Sequence, residues 1–264
     1  MLRHPDFDPV AISIGPLSIH WYGIMYLIAF AGCWFAATRL AARPGSGWKK
    51  EEIGDLLFYV ALGVVLGGRL GYMLFYGWTN IADDPLSILR VWEGGMSFHG
   101  GLIGVLLAMG IYARNTGRGF FDVADLVAPT VPIGLGAGRF GNFINGELWG
   151  HSTDLPWGMV FANGGPLPRH PSMLYEFFLE GLVMFAVLWW YAGRRPPTMA
   201  ISGAFLLLYG VFRFAVEFVR EPDAHIGYLA LDWFTMGQLL TLPMIVAGAV
   251  LMALAYRRAG AAVH

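Results

Sequence analysis

Charge is scarce in this sequence. Asp, Glu, Lys and Arg make up 13% of its 264 residues, about half the roughly 25% of a soluble globular domain. So few charges cannot cover a water-facing surface, and most of the exterior must face lipid. Lysine is all but missing: Lys49 and Lys50 stand side by side, and every other Lys-or-Arg cation is arginine. Cysteine occurs once, as Cys33 in an apolar run, which excludes an internal disulfide and a cysteine metal cluster. The net charge of -1 lacks the basic field that a nucleic-acid binder needs. No basic n-region opens the chain. Residues 1–8 are polar and acidic, and no small-residue cleavage site follows the first apolar run, so that run is expected to stay in the mature protein. Internal repeats, an H-E-x-x-H zinc motif and a nucleophile elbow are also missing. Their absence weighs against a repeat-built transporter or flippase, metal catalysis and a Ser/His/Asp triad.

Long apolar runs and aromatic residues are abundant instead. Ten Trp, 11 Tyr and 19 Phe suit interfacial belts and lipid-facing side chains. Runs of about 20 residues match the thickness of a bilayer core. They predict an all-α polytopic membrane protein with about seven transmembrane helices, over residues 17–38, 56–76, 97–113, 123–137, 172–191, 199–219 and 234–256. Residues 1–264 read as a single transmembrane domain, with residues 148–171 as a short periplasmic segment within it. The fourth run is short and broken by Pro129 and Pro132, which suits the inside of a bundle where neighbours satisfy freed backbone groups. Gly63, Gly67 and Gly71 recur every four residues, a close-packing pattern for helix contacts.

The loops set the direction. Arg39, Arg43, Lys49 and Lys50 follow the first run, Arg114 and Arg118 the third, Arg194 and Arg195 the fifth, and Arg257 and Arg258 the seventh. These ten of the 17 basic residues fall on one side, which is expected to be cytoplasmic. The N-terminus is then outside and the C-terminus inside.

That direction brings distant polar groups to one depth, near the outer leaflet. His20, Trp21 and Tyr22 open the first run, His99 opens the third, and residues 139–147 leave the fourth. Arg169, His170 and Pro171 precede the fifth. Tyr209, Arg213 and Glu217 sit four residues apart in the sixth and share one helix face. Arg139 and Arg213 are the pair that stands out, because a guanidinium stays charged and presents a planar fork that matches phosphate oxygens. Two compatible readings stand: a clamp on a phospholipid phosphate, or internal pairing of Arg213 with Glu217 and Arg139 with Glu147. The glycines around Arg139 allow tight turns and close approach to a ligand. Asn142 and Glu147 add hydrogen-bonding capacity.

His99 reads either as a proton acceptor near neutral pH or as a hydrogen-bonded structural histidine. Arg69 reads either as a lining residue of the same cavity or as a buried structural arginine. Glu176 and Glu180, an i,i+4 pair, read as structural. Cys33 has no basic neighbour in sequence and reads as a small packing residue.

Four runs, in order, resemble the prolipoprotein diacylglyceryl transferase family: SFHGGL at 97–102, GRFGNFINGE at 138–147, RHPS at 169–172 and YGVFRFAVEFVR at 209–220. HWYG at 20–23 and RPGSGW at 43–48 fit as well, so the likeness runs nearly end to end. The segment between Gly150 and Arg169 is shorter than in some members, which carry a larger arm there.

The resemblance implies a multi-pass enzyme of the bacterial inner membrane. Such an enzyme moves the diacylglyceryl group of phosphatidylglycerol to the lipobox cysteine of a prolipoprotein signal peptide, and a thioether and glycerol 1-phosphate result. Its implied partners are phosphatidylglycerol, the prolipoprotein and membrane lipids, with no nucleic acid and no cofactor. The residues carried over are Tyr22, His99, Arg139, Asn142, Glu147, Gly150, Tyr209, Arg213 and Glu217. Arg139 and Arg213 are expected to stabilise the leaving phosphate, and His99 to act as the base. Glu147 and Glu217 would orient the arginines, while Asn142 and Tyr209 position the headgroup.

Overall fold

The computed structural model describes residues 2–15, 17–78, 84–91, 94–222 and 227–261. Besides short 3-10 turns, eight helices run through them. These are α1 (Trp21–Ala41), α2 (Lys50–Phe75), α3 (Phe98–Thr116), α4 (Phe120–Val127), α5 (Val131–Ile144), α6 (Ser172–Gly193), α7 (Ala200–Glu217) and α8 (Met236–Ala261). Among the described residues, α1, α2, α6, α7 and α8 are long and apolar enough to cross a membrane. Together α4 and α5 make a sixth candidate if they form one broken span. The third expected span appears as α3, 19 residues long. Its glycines, His99 and the Arg114-Asn115-Thr116 end dilute its apolar character, and it is not among the five. Large apolar side chains such as Leu27, Phe58, Leu107 and Val246 are exposed, as a lipid-facing exterior requires.

The all-α expectation needs correction at the helix ends, where short strands form. Strands β1 (Leu2–Arg3) and β4 (Met159–Val160) pair in parallel, while β2 (Val10–Ile14) pairs antiparallel with β3 (Leu17–His20) and β5 (Tyr228–Ala230) with β6 (Phe234–Thr235). Residues 17–20 therefore belong to a hairpin, and the first span starts at Trp21. The second span starts six residues early, at Lys50. The Glu52 carboxylate accepts the Lys49 N–H at 2.7 Å, and acidic residues in a first turn complement the helix dipole. The fourth run does not end at residue 137: α5 continues to Ile144.

The chain folds as two compact units, residues 1–36 with 127–264, and residues 37–126. In the first, Ala128, Met184, Leu188, Ile201 and Ala204 form a buried apolar cluster. Helices α5 and α6 approach closely at Gly136 and Gly181, where a Cβ on Gly181 would lie 2.9 Å from the Gly136 Cα. Within α6, residues Phe177–Val183 form a wider π-type turn. In the second unit, α2 and α3 meet backbone to backbone. Gly67 faces Gly100 and Gly104, with a Cβ on Gly67 reaching within 2.8 Å of the Gly104 Cα. Arg118 pairs with Glu52 at 2.7 Å and stacks over Trp48.

Candidate active site

The first unit gathers a cluster of buried charge. Its centre is Glu176, in the first turns of α6, with a side chain fully buried. One carboxylate oxygen, Oε2, lies 2.8 Å from the Nε of Arg139 on α5. The other, Oε1, lies 2.9 Å from Nη1 of Arg213 on α7 and 3.2 Å from Nη1 of Arg220, just past that helix. A buried carboxylate is tolerated when it is paired and hydrogen-bonded; here Oε1 accepts from Arg213 and Arg220, while Oε2 meets Arg139 as an ion pair and accepts no hydrogen bond among the described residues. Glu180, one turn further along α6, is also fully buried. Its Oε2 is 4.0 Å from Arg139 Nε, and neither of its oxygens accepts a hydrogen bond among the described residues.

Arg213 also pairs with Glu217 at 2.6 Å, one turn along α7, as the four-residue spacing predicts. Glu217 is fixed from the far side: Thr235 Oγ1 donates to its Oε1 at 2.8 Å. Thr235 in turn caps α8. Its Oγ1 accepts the Gln238 N–H at 3.2 Å while the Gln238 side chain accepts the Thr235 N–H at 3.0 Å. This reciprocal capping box satisfies two backbone donors at a helix start. Gly237 leaves room for the carboxylate, since a Cβ there would run into Glu217 Oε1.

The Arg139–Glu147 pairing expected from sequence is replaced by a relay. Arg139 and Asn142 are one turn apart in the last part of α5. Arg139 Nη1 donates to Asn142 Oδ1 at 3.5 Å, and Asn142 Nδ2 donates to Glu147 Oε1 at 2.8 Å. Asn145 Nδ2 adds a 3.4 Å contact to the same oxygen. The chain turns back here through Gly146 at φ 65°, a left-handed conformation that glycine adopts without strain. Among the described residues, Arg139 is engaged through Nε and Nη1. Its side chain keeps 20% of its surface exposed and that of Arg213 14%, so both remain within reach of a ligand.

The other predicted residues are placed as follows. Tyr22, in the first turn of α1, packs beside Gly141, whose Cβ position lies 3.2 Å from the Tyr22 ring. Tyr209 precedes Arg213 by one turn and stacks on Phe205 with centroids 6.1 Å apart. Gly150 has its backbone engaged: its N–H donates to His170 O at 2.8 Å, its C=O accepts from Arg169 Nη1 at 3.3 Å, and it bridges to Arg220. A side chain there would meet His170 Cβ at 3.0 Å. His99 belongs to the second unit, as the second residue of α3 and exposed. Arg69, in the same unit, is buried and donates to the carbonyls of Ser87, Ile88, Gly94 and Gly95, which is the structural reading.

Residues 148–171 form a folded segment with its own polar links. Arg169 pairs with Glu221 at 3.0 Å and lies over the Trp149 ring at 4.0 Å. Trp157 Nε1 donates to the Tyr175 hydroxyl at 2.8 Å, and that hydroxyl lies 3.1 Å from His170 Nδ1. Burial, with the nearby His151, holds the His170 imidazole below the usual histidine range.

Convergent arginines with orienting carboxylates are suited to binding an anion and to stabilising charge that develops on it. The sequence profile described as prolipoprotein diacylglyceryl transferase matches residues 9–254. The chain belongs to this family. Its family relatives include a phosphatidylglycerol–prolipoprotein diacylglyceryl transferase of Azotobacter vinelandii, 60% identical over 265 residues and 100% of both chains. One of that name from Methylococcus capsulatus is 60% identical over 99% of this chain and 100% of its own. Another, from Pseudomonas paraeruginosa, is 58% identical over 98% of this chain and 97% of its own.

Glu176, read from the sequence as a structural acid, takes part in this charged cluster, as do Arg220 and Thr235, which the sequence reading did not place in the site. Signals for two of them are present in the sequence. Glu176 and Glu180 form an acidic pair inside an apolar run, where a charge needs a partner. Thr235-x-x-Gln238 before an apolar run is a capping-box pattern. Nothing in the sequence singles out Arg220 beyond its place at the end of the 209–220 run.

Proposed function

We propose that this protein transfers the diacylglyceryl group of phosphatidylglycerol to the lipobox cysteine of prolipoproteins. The observation that carries the proposal is the meeting of Arg139, Arg213 and Arg220 on Glu176 in a chain whose full-length relatives bear that activity in their names. The peptide sulfur attacks the glyceryl carbon that bears the phosphate. A C–S bond forms, the C–O bond breaks with its electron pair passing to the phosphate, and glycerol 1-phosphate leaves. Arg139 and Arg213 hold the phosphate and stabilise the added charge. Asn142 and Tyr209 position the headgroup, and Glu147 and Glu217 orient the two arginines. Tyr22 and Gly150 shape the binding site. The thiol proton passes to His99, because the thiolate is the reactive form.

The same reading assigns seven spans, with α3 and the α4–α5 pair as crossings, and one membrane domain over residues 1–264. It puts the N-terminus and residues 148–171 on the periplasmic face of a bacterial inner membrane and the C-terminus in the cytoplasm. Purified protein incubated with phosphatidylglycerol and a lipobox peptide tests the reaction. The expected result is a peptide heavier by one diacylglyceryl group, with one glycerol 1-phosphate released per peptide. A peptide left unmodified by correctly folded protein would overturn it.

A further inference from the structure

The first residues of the chain reach the signature turn. Strand β1 pairs with β4, Leu2 beside Met159 and Arg3 beside Val160, and the His4 N–H donates to Val160 O at 2.9 Å. His4 is thereby held against the turn that follows α5. Its Nε2 lies 2.6 Å from the carbonyl of Phe143. A carbonyl only accepts, so Nε2 carries the hydrogen. On the other side of the ring, Nδ1 faces Asp6, 3.2 Å from its backbone nitrogen and 3.5 Å from its Oδ1.

The imidazole is 5% exposed and packs between Phe143 and Phe161, with centroids at 5.1 and 5.3 Å. Its Cε1 is 3.4 Å from where a Cβ on Gly146 would sit. The Phe143 carbonyl also accepts the Gly146 N–H at 3.0 Å. Both donors therefore fix the peptide that separates Asn142 from Glu147. A helix end leaves its last carbonyls without helical partners, and at this end the second partner comes from 139 residues earlier in the chain.

We infer that His4 is a positioning residue of the headgroup site, holding the turn that sets Asn142 against Glu147 and so orienting Arg139. The inference rests on the transferase reading above. It distinguishes His4 from an ordinary core residue, because loss of the donor should change how the site binds lipid and not only how much folded protein is made.

The test compares His4→Ala, His4→Phe and His4→Gln with the parent, each purified in lipid nanodiscs and normalised to folded protein. The substrates are phosphatidylglycerol and a lipobox peptide. Removing the donor in the Ala variant is expected to raise KM for phosphatidylglycerol about tenfold with KM for the peptide little changed. His4→Phe keeps the ring packing without the donor and is expected to show the same rise, so it decides the matter if the Ala variant does not accumulate. His4→Gln offers an amide N–H to the same carbonyl and is expected to return KM to within about threefold of the parent.

An unchanged phosphatidylglycerol KM in the Phe variant, or a Gln variant no better than Phe, would overturn the inference. Failure of the parent itself to transfer lipid would instead overturn the reading on which it rests. Nitrogen NMR of histidine-labelled protein then still reads the His4 ring, and an Nε2 without a proton would count against the positioning role.

Discussion

Two arginines, one in each compact unit, are held in opposite ways. Arg69, on α2, donates to the backbone carbonyls of Ser87, Ile88, Gly94 and Gly95. Arg213 is surrounded by carboxylates, Glu176 and Glu217, on two helices. Carbonyls hold a guanidinium by dipoles and consume its donors one at a time. Carboxylates hold it by charge, and another anion can compete for the same fork. A cation in an apolar run is therefore informative only once its partners are known. The caged arginine is architecture, and the one among carboxylates is equipped for exchange.

The sharpest way to break this contrast is to remove the guanidinium groups. Arg139→Ala and Arg213→Ala are each expected to lower transfer by about 100-fold or more while the protein still accumulates in the membrane. Lysine should rescue poorly, because a point charge does not replace a bidentate fork. Near-parental turnover by both Lys variants in the peptide-lipidation assay would end the clamp reading.

Stability should divide differently from activity. Glu176→Ala leaves three guanidinium groups without their shared counter-charge and is expected to cost about 3–5 kcal/mol. Arg69→Met leaves four carbonyls without their donor and is expected to cost about 2–3 kcal/mol. Thermal denaturation in detergent measures both. Turnover per folded molecule should fall only in the Glu176 variant; an equal fall in the Arg69 variant would erase the distinction between the two regions.

A milder change addresses the support behind Arg213. Thr235→Val removes the cap of α8 and the hydrogen bond to Glu217, for an expected loss of about 1–2 kcal/mol and a modest drop in turnover. Thr235→Ser keeps both contacts and is expected to behave as the parent. Equal melting temperatures for Val and Ser would show that the capping box does not reach Glu217.

The smallest effect is one of pH. His170 Nδ1 lies 3.1 Å from the Tyr175 hydroxyl, and burial holds the folded pKa of the ring below the unfolded value of 6.5. Above 6.5 both states are neutral and the group contributes nothing to the pH dependence. As pH falls below 6.5 the unfolded chain takes up the proton first, so residues 148–171 lose stability until the folded pKa is passed. Limited proteolysis of this segment should quicken over that range, and His170→Gln should remove the step.

What was legible in the sequence was what depends on local spacing. Apolar length located the helices, the i,i+4 interval paired Arg213 with Glu217, and the glycine spacing of α2 matched its close contact with α3. Less legible was whatever depends on a third element. Glu176 meets arginines from α5, from α7 and from beyond α7, and no interval in the chain encodes that meeting. The relay through Asn142 depends on α5 running on to Ile144. Its glycines suggest an earlier end, yet the extension is packed: Phe140 lies against Phe177 of α6, Gly141 against Tyr22 of α1, and Ile144 is buried with Met25. The hairpin at residues 10–20 is hidden because its apolar residues continue smoothly into α1.

The wide turn at Phe177–Val183 gives α6 one residue of slack. Its i→i+5 bonds take up one residue more than the α-helical path on either side would need. A single-residue deletion at Phe178 would let the helix close into ordinary α geometry and lose no polar group. Because the turn absorbs that residue, Met184 and Leu188 beyond it would stay close to their present phase relative to Glu176 and keep their apolar cluster. Glu180 and Gly181, inside the turn, would shift instead, the first from its place near Arg139 and the second from Gly136. The extra residue thus aims a short stretch of side chains while the charged end of the helix and its greasy end stay in step.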